Sequence, residues 1–169
     1  RETVIREMLG SGPYPARNCD QNIADLKAQI AANEKGVQEM WRMIDEFGQD
    51  VVIAYMEHVQ DNAEEAVRRV IDQLDDGQFT YCIDDIATIQ VSIKVDKIAR
   101  SATVDFTGTS AQLSNNFNAP SAVCYAAVLY VFRTLVDDDI PMNQGCLKPL
   151  NIIIPDGSML NPQYPAAVV

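Results

Sequence analysis

Histidine is nearly absent from this 169-residue chain, with His58 the only one. A metal site built on histidines has no material here. A Ser-His-Asp or Cys-His device would need a nucleophile motif beside that one residue, and none accompanies it. Its helix neighbours Tyr55 and Val59 belong to a buried stripe, so His58 is expected at the edge of that stripe, as a surface residue. Cysteine is sparse and scattered: Cys19, Cys82, Cys124 and Cys146 form no Cys-x-x-Cys pair and match no zinc spacing. Free thiols in a reducing compartment are the simpler expectation. Positive charge is scarce, with 13 Lys and Arg against 24 Asp and Glu and a net charge of -11. Such a surface repels nucleic acid and anionic membranes, so neither is expected as a partner. No signal-peptide pattern is visible. The best apolar run, Ala119 to Val136, is short and is interrupted by Arg133, which points to a buried helix rather than a membrane span. A cytoplasmic location is expected.

Other devices are missing too. Thr107-Gly108-Thr109-Ser110 has neither the lysine nor the glycine spacing of a phosphate loop. Asp137-Asp138-Asp139 does not fit a calcium-hand loop and sits at a helix end where the dipole disfavours negative charge, so it reads as a solvated turn. There is no internal repeat and no low-complexity segment.

What is present is a period that changes once. A short helix over 1–9 is broken by Gly10-Ser11-Gly12-Pro13-Tyr14-Pro15. Asn18 or Asp20 can cap a long helix carrying Ile23, Leu26, Ile30, Val37, Met40, Ile44 and Phe47 on one stripe. Gly48 ends it and Asp50 can cap the next. That second helix carries Val52, Met56, Val59, Ala63, Ala66, Val70 and Leu74. Together they predict an antiparallel hairpin, each arm roughly 35–45 Å long at about 1.5 Å per residue.

After Asp75-Asp76-Gly77 the period becomes two. Phe79, Tyr81 and Ile83; Ile89, Val91, Ile93 and Val95; and Ala102, Val104 and Phe106 each alternate with small or polar residues. Three strands with one apolar face predict an antiparallel meander. Asn118 or Ser121 is placed to cap a third long helix with little polar face, and Asn151-Ile152-Ile153-Ile154 reads as a fourth strand. The fold class is therefore α+β: a long antiparallel helical hairpin plus a small antiparallel sheet packed on a buried helix. The chain is expected to be a single domain over 1–169, mainly helical over 1–76, with the sheet and buried helix over 77–169. It has no initiator Met and ends in Pro165-Ala166-Ala167-Val168-Val169, so a piece of something longer is expected.

One junction has the makings of a site. The strand ending near Phe106 leads through Ser114-Asn115-Asn116-Phe117-Asn118 into the third long helix. Asparagines fill turns and cap helices. At a helix start they can also join free N–H groups in holding a carboxylate or a developing oxyanion. Asn116 and Asn118 are the candidates here, and Asn143 and Gly145 form a second loop that could face them. All four are assigned to substrate binding; no catalytic residue is assigned.

These residues also carry a resemblance. Asp25-Leu26-Lys27-Ala28-Gln29-Ile30-Ala31-Ala32-Asn33 resembles the "DLRAQIAAN" helix of the hydantoinase B/5-oxoprolinase family. Asp105 to Gln112 resembles its "DFTGTSxQ" segment. Asn143-x-Gly145, Pro149, Pro155-Asp156-Gly157-Ser158-Met159-Leu160-Asn161-Pro162 and Pro165-Ala166-Ala167-Val168 follow in the family's order and spacing. Lys27 stands where arginine is usual, and the Ser114–Asn118 loop replaces a more glycine-bearing one. The resemblance implies an internal fragment of the B-type half of an ATP-dependent cyclic amidohydrolase that opens hydantoin or 5-oxoproline rings. It implies a hydantoinase A-type ATP-binding subunit or domain as partner and a small cyclic amide as substrate. It implies ATP and a divalent metal for the full complex, neither cofactor being held in this fragment, which alone is expected to be inactive. An acetone- or acetophenone-carboxylase-like subunit and a non-catalytic subunit-assembly domain are the alternatives.

Overall fold

A computed structural model describes residues 2–168. It divides into two compact units, Arg1–Tyr55 and Met56–Val169. The expected start of the first helix at Arg1 lies outside the described residues.

The first unit holds α1 (Glu2–Gly10), α2 (Cys19–Phe47) and the opening turns of α3 (Gln49–Gln73). Asn18 is the cap of α2: its side chain accepts from the Gln21 N–H at 3.1 Å, the local bond expected of a cap. Arg6 ties α1 to the start of α2 by bonding both Glu2 and Asp20. Gly48 closes α2, its N–H returning to the Ile44 carbonyl. The next helix begins at once with Gln49, so Asp50 lies in its first turn rather than at its cap. Of the α2 stripe, Ile23 is buried, while Ile30 and Val37 are exposed.

The second unit is an α+β layer. Strands β1 (Gly77–Ile83), β2 (Ala87–Asp96), β3 (Ser101–Asp105) and β4 (Leu150–Ile153) stand in the order β1-β2-β3-β4. The first three form the expected antiparallel meander, with Phe79 opposite Val91 and Val104 opposite Ile93. One expectation is corrected: β4 joins β3 in parallel, Val104 pairing with Ile152. Parallel neighbours need a crossover, and helix α4 (Ser121–Leu135) supplies it, which makes β3-α4-β4 a βαβ unit.

Period-two patterning puts Ala102, Val104, Ile93 and Ile152 on one sheet face. That face meets Ala63, Val67 and Ile71 of α3 and Val128 and Phe132 of α4 in the main core. A smaller cluster, Ala87, Cys124, Met159 and Leu160, lies at the other end of α4. Polar clasps fix the β2–β3 turn to α3. Arg100, at φ 52, bonds Glu65 and Asp72, and Arg68 donates to the Ala99 and Arg100 carbonyls. Lys97 donates to carbonyls at the end of α3, where a cation also suits the dipole.

Candidate functional site

Strand β2 is longer than β3, so Thr88 and Gln90 outrun their partner and need other bonds. The Gly/Thr/Ser turn supplies them. The Ser110 hydroxyl accepts from the Thr88 N–H at 2.9 Å, and the Thr109 hydroxyl accepts from the Gln90 N–H and donates to its carbonyl, both at 3.1 Å. Gly108, at φ 97, makes the bend, and the Gln90 side chain lies where a Cβ at 108 would fall. Asp105 closes the strand by accepting from the Thr107 N–H at 2.8 Å. Hydrogen bonds from the Thr107 hydroxyl and N–H hold its carboxyl below the ordinary range.

The chain then runs beside the 155–168 segment. Met159 N–H donates to Ser110 O, Gln112 N–H to Gly157 O, and Ala119 N–H to Met159 O, at 2.8–3.0 Å. The Gln112 side chain accepts from Gln163 N–H at 2.7 Å. Asn118 sits at the centre, 1% exposed. Its Oδ1 accepts from Leu113 N–H at 2.7 Å, and its Nδ2 donates to the carbonyls of Leu113, Asn115 and Ala167 at 2.9–3.0 Å. It is therefore not the cap of α4. Pro120 takes that position without a side-chain bond, and Ser121 is already helical.

Asn116 lies next to this knot with its side chain exposed. Asn143 and Gly145 lie elsewhere, against α3. The Asn143 side chain accepts from Gly145 N–H at 2.8 Å and donates to Val59 O at 3.4 Å. Gly145 is a buried residue of the 3₁₀ turn Gln144–Leu147, and Lys148 ties that turn to Asp61 and Glu64. The two loops pack on different core clusters, Leu113 and Ala119 flanking the first against the smaller one and Cys146 beside the second in the main one. Among the described residues no hydrogen bond joins them.

One feature escaped the sequence. Ser158 is 4% exposed and its hydroxyl has no hydrogen-bond partner. No pattern of residue types distinguishes such a serine from an ordinary turn residue. Burial in the smaller cluster pushes the Cys124 thiol up to about 11. Among the described residues no group of three or more His, Cys, Asp or Glu is arranged to hold a metal ion. Chemically, the exposed amide is that of Asn116, whereas that of the half-buried Asn143 is engaged by the Gly145 N–H and the Val59 and Pro141 carbonyls.

Comparison with known proteins gives these arrangements a context. The sequence model of the hydantoinase B/oxoprolinase family matches residues 1–169. The chain is 43% identical over 163 residues to the 5-oxoprolinase of Dictyostelium discoideum, covering 91% of this chain and 13% of that protein. It is 40% identical over 177 residues to the 5-oxoprolinase of Saccharomyces cerevisiae, covering 94% of this chain and again 13% of the relative. Among solved structures it resembles an ATP-dependent caprolactamase from Pseudomonas jessenii with a TM-score of 0.70 and 25% identity. That likeness covers 100% of this chain and 30% of the other. The chain thus spans about an eighth of the length of the 5-oxoprolinases it matches.

Proposed function

We propose, from the fact that this chain belongs to the hydantoinase B/oxoprolinase family, that it forms part of an ATP-dependent hydrolase of cyclic amides. The family match over all of residues 1–169 carries the reading. The relatives named 5-oxoprolinase and the fold neighbour named ATP-dependent caprolactamase support it, since both names denote lactam substrates. The substrate class is a five-membered ring amide of the hydantoin or 5-oxoproline kind. The partner is an A-type ATP-binding subunit or domain, and the compartment is the cytoplasm.

The chemistry follows from the substrate. A ring amide resists water because nitrogen donates into the carbonyl. ATP, bound in the A-type half, supplies the activation. Water then adds to the carbonyl carbon, the C–N bond breaks, and the ring nitrogen leaves with a proton. This chain's residues hold and polarise the polar groups of the ring. Asn116 presents its amide to the substrate, while Asn143, whose amide is engaged by the Gly145 N–H and the Val59 and Pro141 carbonyls, orders the second loop. Asn118 and Gly145 set the conformations of those two loops. The divalent metal implied by the family resemblance finds no donor set among the described residues, and no step here depends on it.

The test is ring opening by the full-length complex with ATP, screened on 5-oxoproline, hydantoins and caprolactam. ATP-dependent release of an open-chain product is expected, and none on any of these amides overturns the proposal. Asn116→Ala is expected to lower turnover about a hundredfold, the lower end for removing one polarising donor. Full turnover in that variant would remove the asparagine from the site.

A further inference from the structure

The last turns of α3 and the end of α4 wall a cleft of about 380 Å3. Its lining is mainly apolar. Ala66 and Val136 are buried. Leu135 falls two helical turns after the buried Val128, so it carries the core-facing stripe of α4 to the helix end. A cleft of this size, apolar with a few polar groups, has the form of a small-molecule site. Its charges are divided between the two walls: Arg69 stands on α3, while Asp137 and Asp138 follow α4. No ion pair among the described residues joins the arginine to either aspartate. Arg69 reaches Glu65 only at 3.5 Å, and Arg100 already holds both oxygens of that carboxylate at 3.0 and 3.1 Å. The aspartates lie at the end of α4 where the dipole favours a cation. Opposite charges thus face an apolar floor without meeting across it.

We propose that this cleft binds a zwitterionic amino acid in which a short hydrocarbon chain separates an ammonium from a carboxylate. The ammonium faces Asp137 and Asp138, the carboxylate accepts from the Arg69 guanidinium, and the methylenes lie on the apolar lining. Both ends of such a molecule are charged at neutral pH. Simpler ligands fit less well. A plain amine leaves Arg69 unmet. A plain carboxylate leaves the aspartates unmet and adds negative charge to a chain of net charge -11. A lactam hydrolase releases this class of molecule: water added across the ring C–N bond turns the carbonyl into a carboxylate and the ring nitrogen into an ammonium. That the ligand is a reaction product rests on the ring-opening reading above; that the cleft takes a zwitterion rests on its walls.

The test is calorimetric titration of the full-length complex, without ATP, with 6-aminohexanoate, the open-chain form of caprolactam. Saturable binding is expected, with hexylamine and hexanoate each at least about tenfold weaker, the loss of one charge-assisted contact. Arg69→Gln, and Asp137→Asn combined with Asp138→Asn, should each weaken 6-aminohexanoate by a similar factor, at least about tenfold. All three side chains are exposed, so the variants should fold as the parent does. Affinity unchanged in either variant would place the molecule elsewhere, at the reacting centre for example, and overturn the proposal. Equal binding of hexylamine, or no saturable binding, would overturn it too. No turnover is needed. A complex that binds the zwitterion through these residues but opens no ring refutes the ring-opening reading alone, and one that opens rings without such binding refutes the cleft alone.

Discussion

The Cα of Gly145 lies against the backbone carbonyl of Gln60, and a Cβ at 145 would overlap that oxygen. Backbone cannot yield as the tip of a side chain can. Asn143 holds the approach in place by accepting from the Gly145 N–H. The glycine of the Asn-x-Gly run is therefore accounted for by close packing on α3, whatever the loop binds.

Gly145→Ala is accordingly expected to destabilise the protein by about 1–3 kcal/mol, the usual cost of overpacking. Asn143→Ala, which removes the bond to Gly145 N–H, should cost about 1 kcal/mol. Urea unfolding of the two variants beside the parent protein checks both. A Gly145→Ala protein as stable as the parent would show that the Gln60 contact is loose.

Asn118 and Asn116 are two positions apart and should behave in opposite ways. Asn118→Ala leaves the Leu113 N–H and three carbonyls without their buried partner. A loss of at least about 2 kcal/mol is expected, since a buried polar group left unpaired costs about 1–3 kcal/mol. Asn118→Asp should fare no better, because a carboxylate would face the same carbonyls. Asn116→Ala changes an exposed side chain and should shift stability by less than about 0.5 kcal/mol. Thermal melts give the stability comparison. If Asn116→Ala also lost turnover, that loss would report on substrate and not on folding.

The period change after Gly77, the cap at Asn18 and the stop at Gly48 were legible because each is decided by neighbours in sequence. Two other features were not. The direction of β4 depends on the crossover through α4, and a four-residue strand carries no mark of its partner's direction. Asn118 looked like a cap because its type and position suit one. A carbonyl 49 residues away, at Ala167, draws it into the knot instead. Likewise Asn116 and Asn143 read as one site from asparagine density, whereas their loops are anchored on different elements. The family motifs were the clearest signal, and the structure gives physical work to several of their residues: Thr109 and Ser110 complete a sheet edge, and Gly145 permits a contact.

The Arg100 clasp predicts an acid-sensitive contribution to stability. Asp72 and Glu65 lie below their ordinary values of 3.8 and 4.5, in each case chiefly because Arg100 hydrogen-bonds the carboxylate. A carboxylate with a depressed folded-state pKa stabilises fully above its unfolded value and loses that contribution as pH falls through the folded value. Arg100→Met should therefore melt lower than the parent at pH 7. The gap should narrow as the pH drops below 3.8, Asp72's ordinary value. Position 100 has positive φ, so Arg100→Lys serves as a control that keeps charge but not the two-pronged geometry. A gap that is independent of pH would assign the loss to backbone and packing rather than to the ion pairs.

The four thiols should react in an order set by burial. Cys82 is exposed on β1, and Cys19 is half-buried with its Sγ near the Ala16 carbonyl. Cys124 is enclosed and pushed up to about 11, so almost none of it is thiolate at neutral pH. Cys146 is fully buried in the main core, directly after the glycine that touches Gln60. With a disulfide reagent at pH 8, Cys82 should react first and Cys19 more slowly. Cys124 and Cys146 should react only when urea unfolds the chain, so their rates report opening of the smaller and the main core respectively. Peptide mapping of the modified sites at timed points separates the four. If Cys146 reacted as fast as Cys82 in native buffer, the 3₁₀ turn would be open in solution, and the packing of Gly145 on Gln60 would be wrong.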